Sequence, residues 1–483
     1  MVFEKYTIPS CPRCVVLETR LSEARAENAR LAKQVGTLAK RVDELEAQAR
    51  RSKRQAAPFG RDKKKANPKK PGRRPGEGRW ANRPAPPQDQ VTDTKEVPLN
   101  ACPHCQGALT DPKTHDYYQI DFPLLPKVET IHFVTHSGYC HHCHERVRSS
   151  HPEQVGQGYG AASSGIGPNL RAFGADLKQR LGISYAKISE LFSTMFDITV
   201  SPSALCQSDA RLAKKAEPIY EEIRRALRFC QCVHADETGW RIGALSAWLW
   251  TFTNQNLTLY TVDPTRSHEV VLRILGRDFP GTLTADCFAA YDHKDLIAWL
   301  QQKCFSHLLK DLKALREQKT RGAVRFASDV AAVLRDAMKL KANQSHVDPS
   351  AYLIQVAQIE ARMDALIATT RHITDPDNLR MAKRLRKQRK RLFTFLTHEG
   401  VEATNNAAER SLRPAVITRK TGGCNKTQAG AKTHAILSSL LVTARQQSRN
   451  TVHFLRNVLT GAEPVGSLTS TALATTGPGA RSP

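Results

Sequence analysis

A mixed β-sheet covered by helices, preceded by an N-terminal coiled coil and a cysteine-paired module, is the α/β architecture that this sequence predicts. Three observations predict it. Apolar residues alternate with period 2 in successive segments from residue 229, and strand and helix patterns alternate after them. A heptad pattern follows Pro12. Two Cys-x-x-Cys pairs lie between residues 99 and 150.

The chain is long and strongly basic. Its 483 residues are enough for two or three packed domains. A formal net charge of +26 destabilises a compact fold unless a polyanion is bound, and nucleic acid is the simplest polyanion. No apolar run approaches the roughly 18 residues of a membrane helix. The N-terminus lacks a signal-peptide pattern, so a cytoplasmic protein with reduced thiols and no membrane partner is expected.

Residues 1–49 contain a cysteine pair and the heptads. Asn28 at an a position is typical of a parallel pair with a fixed register. A two-position seam is narrow for a helix lying on its own protein, so a homo-oligomer is favoured over a single amphipathic helix. Cys11 and Cys14 would join the same pair of a second copy in a four-thiolate site, or form an unmetallated turn. The seam comprises Leu17, Leu21, Ala24, Asn28, Leu31, Val35, Leu38, Val42 and Leu45.

Residues 50–98 form a basic segment. Between Arg50 and Arg83 there are 14 lysines and arginines, opposed only by Asp62 and Glu77. Little of this segment is apolar, so we expect it to be disordered alone and extended along a phosphate backbone when DNA is bound. A solvated linker is the alternative. The predicted DNA contacts are Lys63, Lys64, Lys65, Lys69, Lys70, Arg73 and Arg74.

Two cysteine pairs distinguish residues 99–150. Cys102 and Cys105 form the first pair, and Cys140 and Cys143 form the second. Four thiolates bind zinc tetrahedrally in a closed structural site. The gap between the pairs is longer than in a short double knuckle, and the alternating segment VETIHFVTHSGY is predicted to fill it as a hairpin. The sequence therefore predicts a structural zinc module that supports DNA contact.

Residues 151–228 are predicted as three helices. Gly182 separates the first two, and Ser201 followed by Pro202 is an N-cap and first-turn pattern that opens the third. Three short helices with tight turns permit a helix-turn-helix DNA-binding region, but also a helical bundle without that role.

Residues 229–313 and 400–460 carry the pattern of a mixed α/β core. SHEVVLRIL and DLIAWLQQ are predicted as helices between strands. Residues 314–399 are predicted as a helical insertion, in which RMAKRLRKQRKRL presents basic residues to phosphate or to solvent. Residues 461–483 are predicted as a disordered tail. The five predicted strands are FCQCVHAD, AWLWTFTN, LTLYTVD, GTLTAD and KCFSHLL.

Two acidic residues are predicted at the ends of strands. Asp236 ends the first predicted strand, and Asp286 ends the fourth. If these strands are neighbours, both carboxylates meet at one point, where they repel unless a cation lies between them. Mg²⁺, or Mn²⁺ in its place, suits this role because carboxylates, water and phosphate oxygens complete its coordination. Two such ions about 4 Å apart assist an in-line displacement at phosphorus.

Glu409, in TNNAAERSLRP, is the candidate third carboxylate. Capping-type residues predict a helix from Ala407 onward. Asn405 and Arg413 lie four residues before and after Glu409, so the three share one helix face. We interpret this face as polar and directed at phosphate, with Arg410 and Arg413 as DNA contacts.

The segments HADETGW, TADCFAAYD and NNAAERSLRP, in this order, resemble the three active-site segments of insertion sequence 66 transposases. The resemblance implies an RNase-H-like catalytic core with Asp236, Asp286 and Glu409 as its metal triad. It extends to the N-terminal helix, the basic segment and the cysteine pairs. It also implies element-end and target DNA as partners, and accessory proteins in some members.

One segment departs from the family. Where the family typically has Cys-Trp-Ala-His and then basic residues, this chain has Cys304-Phe305-Ser306-His307 and then LLKDLK. Either Cys304 and His307 support the active site, or Cys304 is a buried strand residue and His307 packs or caps a helix. Asn405 is a further candidate for active-site support.

The expectation from sequence is a bacterial insertion-sequence transposase with Mg²⁺ and zinc as cofactors. It would cleave phosphodiester bonds with water and then join the freed 3′-hydroxyl to target DNA. A DNA-binding regulator with an inactive core is the main alternative, and a nuclease that never joins strands is another.

Overall fold

The structure is a computed structural model of the full chain. No helix among the described residues is long and apolar enough to cross a membrane. The seven predicted phosphate contacts of the basic segment, together with Cys11, Cys102, Cys105 and residues 471–483, lie outside the described residues. The structure describes residues 12–55, 85–96, 104, 106–107, 118, 128–149, 151, 154, 165–318, 323–368 and 373–470.

The N-terminal heptads form one continuous helix, α1 (Pro12–Gln55). The described side chains of its apolar seam are open to solvent, with Leu17, Val35 and Leu38 each more than half exposed. The predicted helix is confirmed, and its pairing with a second copy stays a prediction.

A two-stranded hairpin surrounds the second cysteine pair. Strands β1 (Ser137–Cys140) and β2 (Glu145–Arg148) pair antiparallel, with Cys140 opposite Glu145. The hairpin predicted for VETIHFVTHSGY is therefore wrong in position. Only the last three residues of that segment are strand, and the cysteine pair lies at the end of β1 and in the turn that follows.

The described residues divide into two compact units. The described parts of 60–131 together with Leu191–Ile198 form the smaller unit, which includes a 3-10 turn at Gln88–Gln90. The remaining described residues, including the whole sheet described below, belong to the larger unit.

Three helices precede the large sheet as predicted: α2 (Pro168–Gln179), α3 (Tyr185–Phe196) and α4 (Pro202–Leu227). The Ser201 side chain accepts from the backbone N–H of Ala204, which confirms its N-cap role. Helices α2 and α4 share one hydrophobic core with the sheet, so they are built into the core rather than standing apart.

The central sheet has five strands in the order β5-β4-β3-β6-β7, and α5 (His268–Leu275) connects β5 to β6. β4 and β5 pair antiparallel on one side of β3, whereas β6 and β7 run parallel to it on the other side. Such a mixed sheet fits the predicted α/β catalytic core. The strands are β3 (Cys232–Ile242), β4 (Leu245–Thr253), β5 (Thr258–Asp263), β6 (Thr282–Ala285) and β7 (Gln301–Lys303).

Three predicted elements differ from the structure. β3 continues through the segment ETGW, so Asp236 lies within the strand instead of at its end. DLIAWLQQ begins as a 3-10 turn and ends in β7. KCFSHLL supplies the last residue of β7 and then the start of a helix at Phe305. Short apolar runs do not separate strand from helix by periodicity alone.

The helical insertion has its own hydrophobic core. α6 and α7 pack together, α7 packs on α8, and the final short helix contacts β7. Three more helices then complete the main unit. The eight helices are α6 (Phe305–Gln318), α7 (Ala323–Ala342), α8 (Pro349–Ala368), α9 (Pro376–Gln388), α10 (Thr394–Thr397), α11 (Asn406–Gly422), α12 (Gln428–Gln446) and α13 (Thr451–Thr460).

The basic run of the insertion forms ion pairs with other parts of the protein. Four of its cations bind carboxylates at N–O distances of 2.5–3.0 Å, although Arg384 and Lys387 stay 43% and 60% exposed. The run therefore remains partly open to solvent, and its contact with phosphate stays a prediction. Periodicity identified the basic faces of α9 but not their acidic partners. The ion pairs are Arg384–Asp311, Lys387–Asp292, Arg389–Asp364 and Arg391–Asp292.

Gly281, just before β6, lies very close to the backbone just before β3. A Cβ at this position would meet the carbonyl oxygen of Cys230 at 2.1 Å and that of Gln231 at 2.9 Å. The next residue, Thr282, donates its N–H to the Gln231 carbonyl at 2.8 Å. This close approach of two backbones sets the parallel register of the strands.

We expect Gly281→Ala to cost about 3 kcal/mol or more of unfolding free energy, because backbone rather than a flexible side chain must move. Urea denaturation followed by circular dichroism measures this cost. Gly422→Ala is the matched control, since its Cβ would meet nothing within 4 Å. Equal midpoints for the two variants would contradict the argument.

Candidate catalytic site

Asp236 and Asp286 occupy equivalent positions on neighbouring parallel strands. The pairing of β3 with β6 ends at His234 opposite Thr284, and each aspartate lies two residues beyond the last residue that its segment contributes to this pairing. β6 pairs in the same way with β7, where Ala285 lies opposite Lys303. The next residue on that side, Cys304, donates its N–H to the Ala285 carbonyl at 2.9 Å. The continuation of β3 and the segments that follow β6 and β7 therefore lie side by side at the carboxyl end of the parallel strands.

The surroundings of Asp236 oppose its negative charge. Burial raises its pKa to about 7, and the carboxylates of Glu237 and Asp286 contribute to the rise. The N–H of Glu237 donates to Asp236 Oδ1 at 2.9 Å and offsets part of this effect. Asp286 receives the N–H of Phe288 at 2.9 Å. Additional positive charge at this point would therefore be strongly favourable.

Glu237 has a different role from its neighbour, because successive residues of a strand point to opposite faces. Its carboxylate is buried, pairs with Arg266 at 2.6 Å and accepts from Tyr291 Oη at 2.7 Å. The Arg266 guanidinium lies over the rings of Trp248 and Phe288. The sequence analysis missed this network. In the segment HADET, only the alternation of side chains along a strand distinguishes the role of Glu237 from that of Asp236.

Asn405 connects β3 to the segment that carries Glu409. Its Nδ2 donates to the Ala235 carbonyl at 2.8 Å, and its Oδ1 lies 3.2 Å from His234 Nδ1. Its own N–H donates to Cys304 Sγ at 3.1 Å. The side chain is fully buried, so the predicted phosphate-facing position of Asn405 is wrong. The four-residue spacing correctly placed Asn405 and Glu409 on one face of the helix. The Asn405 end of this face packs on the sheet instead of facing phosphate.

Helix α11 begins at Asn406 and brings Glu409 near His307, the histidine of the Cys-x-x-His segment. His307 Nδ1 lies 3.6 Å from Glu409 Oε1, and both side chains are 40% exposed. A hydrogen bond with Cys304 raises the pKa of His307 to about 9, and the charges of Asp286 and Glu409 add to this effect. Cys304 itself is fully buried. Both alternatives from sequence thus hold in part: Cys304 is a core residue, and His307 faces the acidic cluster.

Two hydrogen bonds hold α11 against the sheet beyond Glu409. Ser411 Oγ lies 2.8 Å from Thr251 Oγ1 on β4, and Arg419 donates to Thr238 on β3 at 3.0 Å. Ligand atoms of Cys304, His307 and Glu409 all lie within 4.8 Å of one another, so this group could hold a metal ion.

A family model for the IS66 family of transposases matches residues 163–433. This match covers more than half of the chain and includes all three candidate carboxylates. The chain belongs to the IS66 transposase family. An uncharacterized protein, y4qI, of Sinorhizobium fredii is 22% identical over 298 residues, which are 54% of this chain and 53% of that protein. The chain thus spans about half the length of this curated relative.

In this IS66 family chain, one face of α11 combines Glu409 with exposed cations. Arg413 and Lys420 lie four and eleven residues beyond Glu409, which places all three within about 40° of one another around the helix axis. Arg410 is also exposed, toward a flank of this face. A basic surface therefore runs along the helix beside the third carboxylate.

The second cysteine pair adopts a geometry that favours thiolate. The backbone N–H groups of Cys143 and His142 lower the pKa of the Cys140 thiol. His144 and Gln106, the residues that follow the second cysteine of each pair, both have positive φ, at 57° and 61°. The residues that follow the two pairs thus share a backbone conformation.

The pKa of Asp236 predicts a pH dependence of stability in metal-free protein. Because its folded pKa of about 7 exceeds the ordinary value of 3.8, its favourable contribution is full below about pH 4 and is lost as pH rises through 7. The unfolding free energy of Asp236→Asn, relative to that of wild type, should therefore rise by on the order of 3 kcal/mol between pH 4 and pH 8.

Urea denaturation in a chelator across this range measures the gain. Asp278→Asn is the same change at an exposed position, and its difference in unfolding free energy from wild type should not vary with pH. If the difference for Asp236→Asn does not vary with pH either, the Asp236 carboxylate has an ordinary pKa.

Proposed function

We propose that this chain is an active transposase that cleaves and joins DNA with two divalent ions held by Asp236, Asp286 and Glu409. The register equivalence of the two aspartates on parallel strands is the observation that carries the proposal. The family match supports the coarser statement that the protein is a transposase.

The donor set fits hard divalent cations. Asp236 and Asp286 interact unfavourably with one another, and burial raises the pKa of Asp236 to about 7. A cation between carboxylates relieves both effects, and Mg²⁺ or Mn²⁺ prefers such oxygen donors. Glu409 is partly exposed on α11, 3.6 Å from His307, and would complete the coordination.

The chain's residues would act by holding and positioning. Bound ions would supply an activated attacking oxygen and a stabilised leaving oxygen. Asp236 is held by its strand, and Asn405 ties that strand to the base of α11. Arg413 and Lys420 would hold the DNA backbone beside Glu409. Water would attack first, and the freed 3′-hydroxyl would then attack target DNA, so no serine or tyrosine nucleophile is required.

The N-terminal regions would assemble this machinery on DNA. The exposed apolar seam of α1 would pair with a second copy, because two helices with such seams bury them together. The basic segment would neutralise phosphates. Zinc held by Cys102, Cys105, Cys140 and Cys143 would stabilise the cysteine module, in keeping with the lowered pKa of Cys140.

Replacing Asp236 by Asn should reduce cleavage of labelled element-end DNA in Mg²⁺ at least a hundredfold, because a metal contact worth several kcal/mol to the transition state is lost. DNA binding, measured by gel shift, should change little. Asp278→Asn is the control and should cleave as wild type does. Retained cleavage in Asp236→Asn would end the assignment, and binding without cleavage by the wild type would favour a regulator.

Replacing Cys140 by Ser should release one equivalent of zinc from the purified chain and weaken DNA binding several-fold, while the thermal transition of the core stays unchanged. Metal analysis of the dialysed protein measures the loss. Cys206→Ser, which removes an exposed thiol from α4, is the control. Equal zinc content in both variants would contradict a role for Cys140 as a ligand.

A further inference from the structure

His307 contains a buried nitrogen atom that the proposed function does not use. The residue lies in the first turn of α6, which begins at Phe305, two residues after the end of β7. His307 Nδ1 is shielded from solvent and has no hydrogen-bond partner among the described residues. Most buried polar atoms are hydrogen-bonded, so an unpaired one requires an explanation such as a bound ion.

Glu409 lies opposite this nitrogen. His307 Nδ1 is 3.6 Å from Glu409 Oε1, beyond the 2.7–3.2 Å of an ordinary hydrogen bond from nitrogen to oxygen. Two ligands about 2.1–2.2 Å from one ion lie roughly 3.0–3.6 Å apart, depending on the coordination geometry. Both side chains are 40% exposed, so an ion in solution can reach the pair. The separation therefore fits two ligands of one ion.

Hydrogen bonds join the start of α6 to the start of α11, and they fix His307 relative to Glu409. Each of the three residues before His307 is bonded to the segment that opens α11. Ligands that are held in place before an ion arrives lose little entropy when they bind it. The hydrogen bonds run from the Asn405 N–H to Cys304 Sγ at 3.1 Å, from the Phe305 N–H to the Ala403 carbonyl at 2.9 Å, and from Ser306 Oγ to Asn406 Oδ1 at 3.1 Å.

We propose that His307 Nδ1 is a ligand of the divalent ion that Glu409 holds. This inference rests on the proposed function and adds a nitrogen ligand to its three carboxylates. The charges of Asp286 and Glu409 act on His307, and the charge of His307 acts on Asp236, so the imidazole lies within electrostatic reach of the whole acidic cluster. Cys304 is fully buried and its Sγ already accepts a backbone N–H, so it holds the helix start and is not a further ligand.

A nitrogen ligand makes the two ion positions unequal. Mg²⁺ is bound through oxygen, whereas imidazole also binds first-row transition ions. The position at Glu409 should therefore prefer Mn²⁺ to Mg²⁺ more strongly than the position between the two aspartates does.

The imidazole exchanges a proton for the ion. A hydrogen bond with Cys304, together with the nearby carboxylates, raises the pKa of His307, so metal-free protein carries a proton there at neutral pH. That proton passes to solvent when the ion binds, because neutral imidazole is the form that binds metals.

The experiment is electron spin-echo envelope modulation of Mn²⁺ bound to the full chain, which detects nitrogen bound directly to the ion. Half an equivalent of Mn²⁺ is added in excess Mg²⁺, so that Mg²⁺ fills the all-oxygen position. DNA is left out, because its bases would add nitrogen signals. Wild type should show the ¹⁴N modulation of a bound imidazole, and wild type labelled with ¹⁵N-histidine should lose it.

The ¹⁴N modulation should also be lost in His307→Gln, whose Mn²⁺ affinity should fall at least about tenfold, the smallest loss typical of a metal-site partner. Its Mg²⁺ affinity should fall less. His453→Gln removes an exposed imidazole on α13 and should match wild type. Melting curves in a chelator establish that His307→Gln folds, and the labelled wild type needs no substitution at all.

The failure of this inference differs from the failure of the proposed function. If wild type binds Mn²⁺ without ¹⁴N modulation, or if His307→Gln keeps the modulation, His307 is not a ligand and only pairs with Glu409. The carboxylate assignment still stands in that case if Asp236→Asn and Glu409→Gln lose Mn²⁺. If both of these variants bind Mn²⁺ as wild type does, the carboxylate assignment is wrong and the role of His307 is overturned with it.

Discussion

The parallel pairing of β3 with β6 is the interaction on which the candidate site depends. Only three residue pairs make it, from Cys232 opposite Thr282 to His234 opposite Thr284. It places Asp236 and Asp286 at the same level, and a shift of one residue would turn one carboxylate to the other face of the sheet. Gly281 permits the backbone approach at the start of this pairing. The register therefore links packing at one end of the strands to chemistry at the other.

The third carboxylate comes from a distant part of the chain, and buried polar contacts join it to the sheet. Asn405 binds β3 and Cys304 with its side-chain and backbone groups, and Glu409 follows one helical turn later. Unsatisfied buried groups are costly, so these hydrogen bonds hold the start of α11 in one position. The helical insertion between Cys304 and Asn405 has its own core and leaves this junction intact.

Much of the fold was predictable from local sequence patterns. The long helices, the three antiparallel strands and the N-cap at Ser201 follow from periodicity and capping chemistry. The extension of β3 past Asp236 was not predicted, because its pairing with β4 outlasts its pairing with β6. The burial of Asn405 and the ion pairs of Arg389 and Arg391 depend on partners far away in sequence, which no local pattern contains.

The most direct test of the central claim is anomalous diffraction from crystals of the full chain bound to element-end DNA and soaked in Mn²⁺. The account predicts two manganese peaks about 4 Å apart, in contact with Asp236, Asp286 and Glu409. Manganese bound elsewhere, with none in contact with the two aspartates, would contradict it.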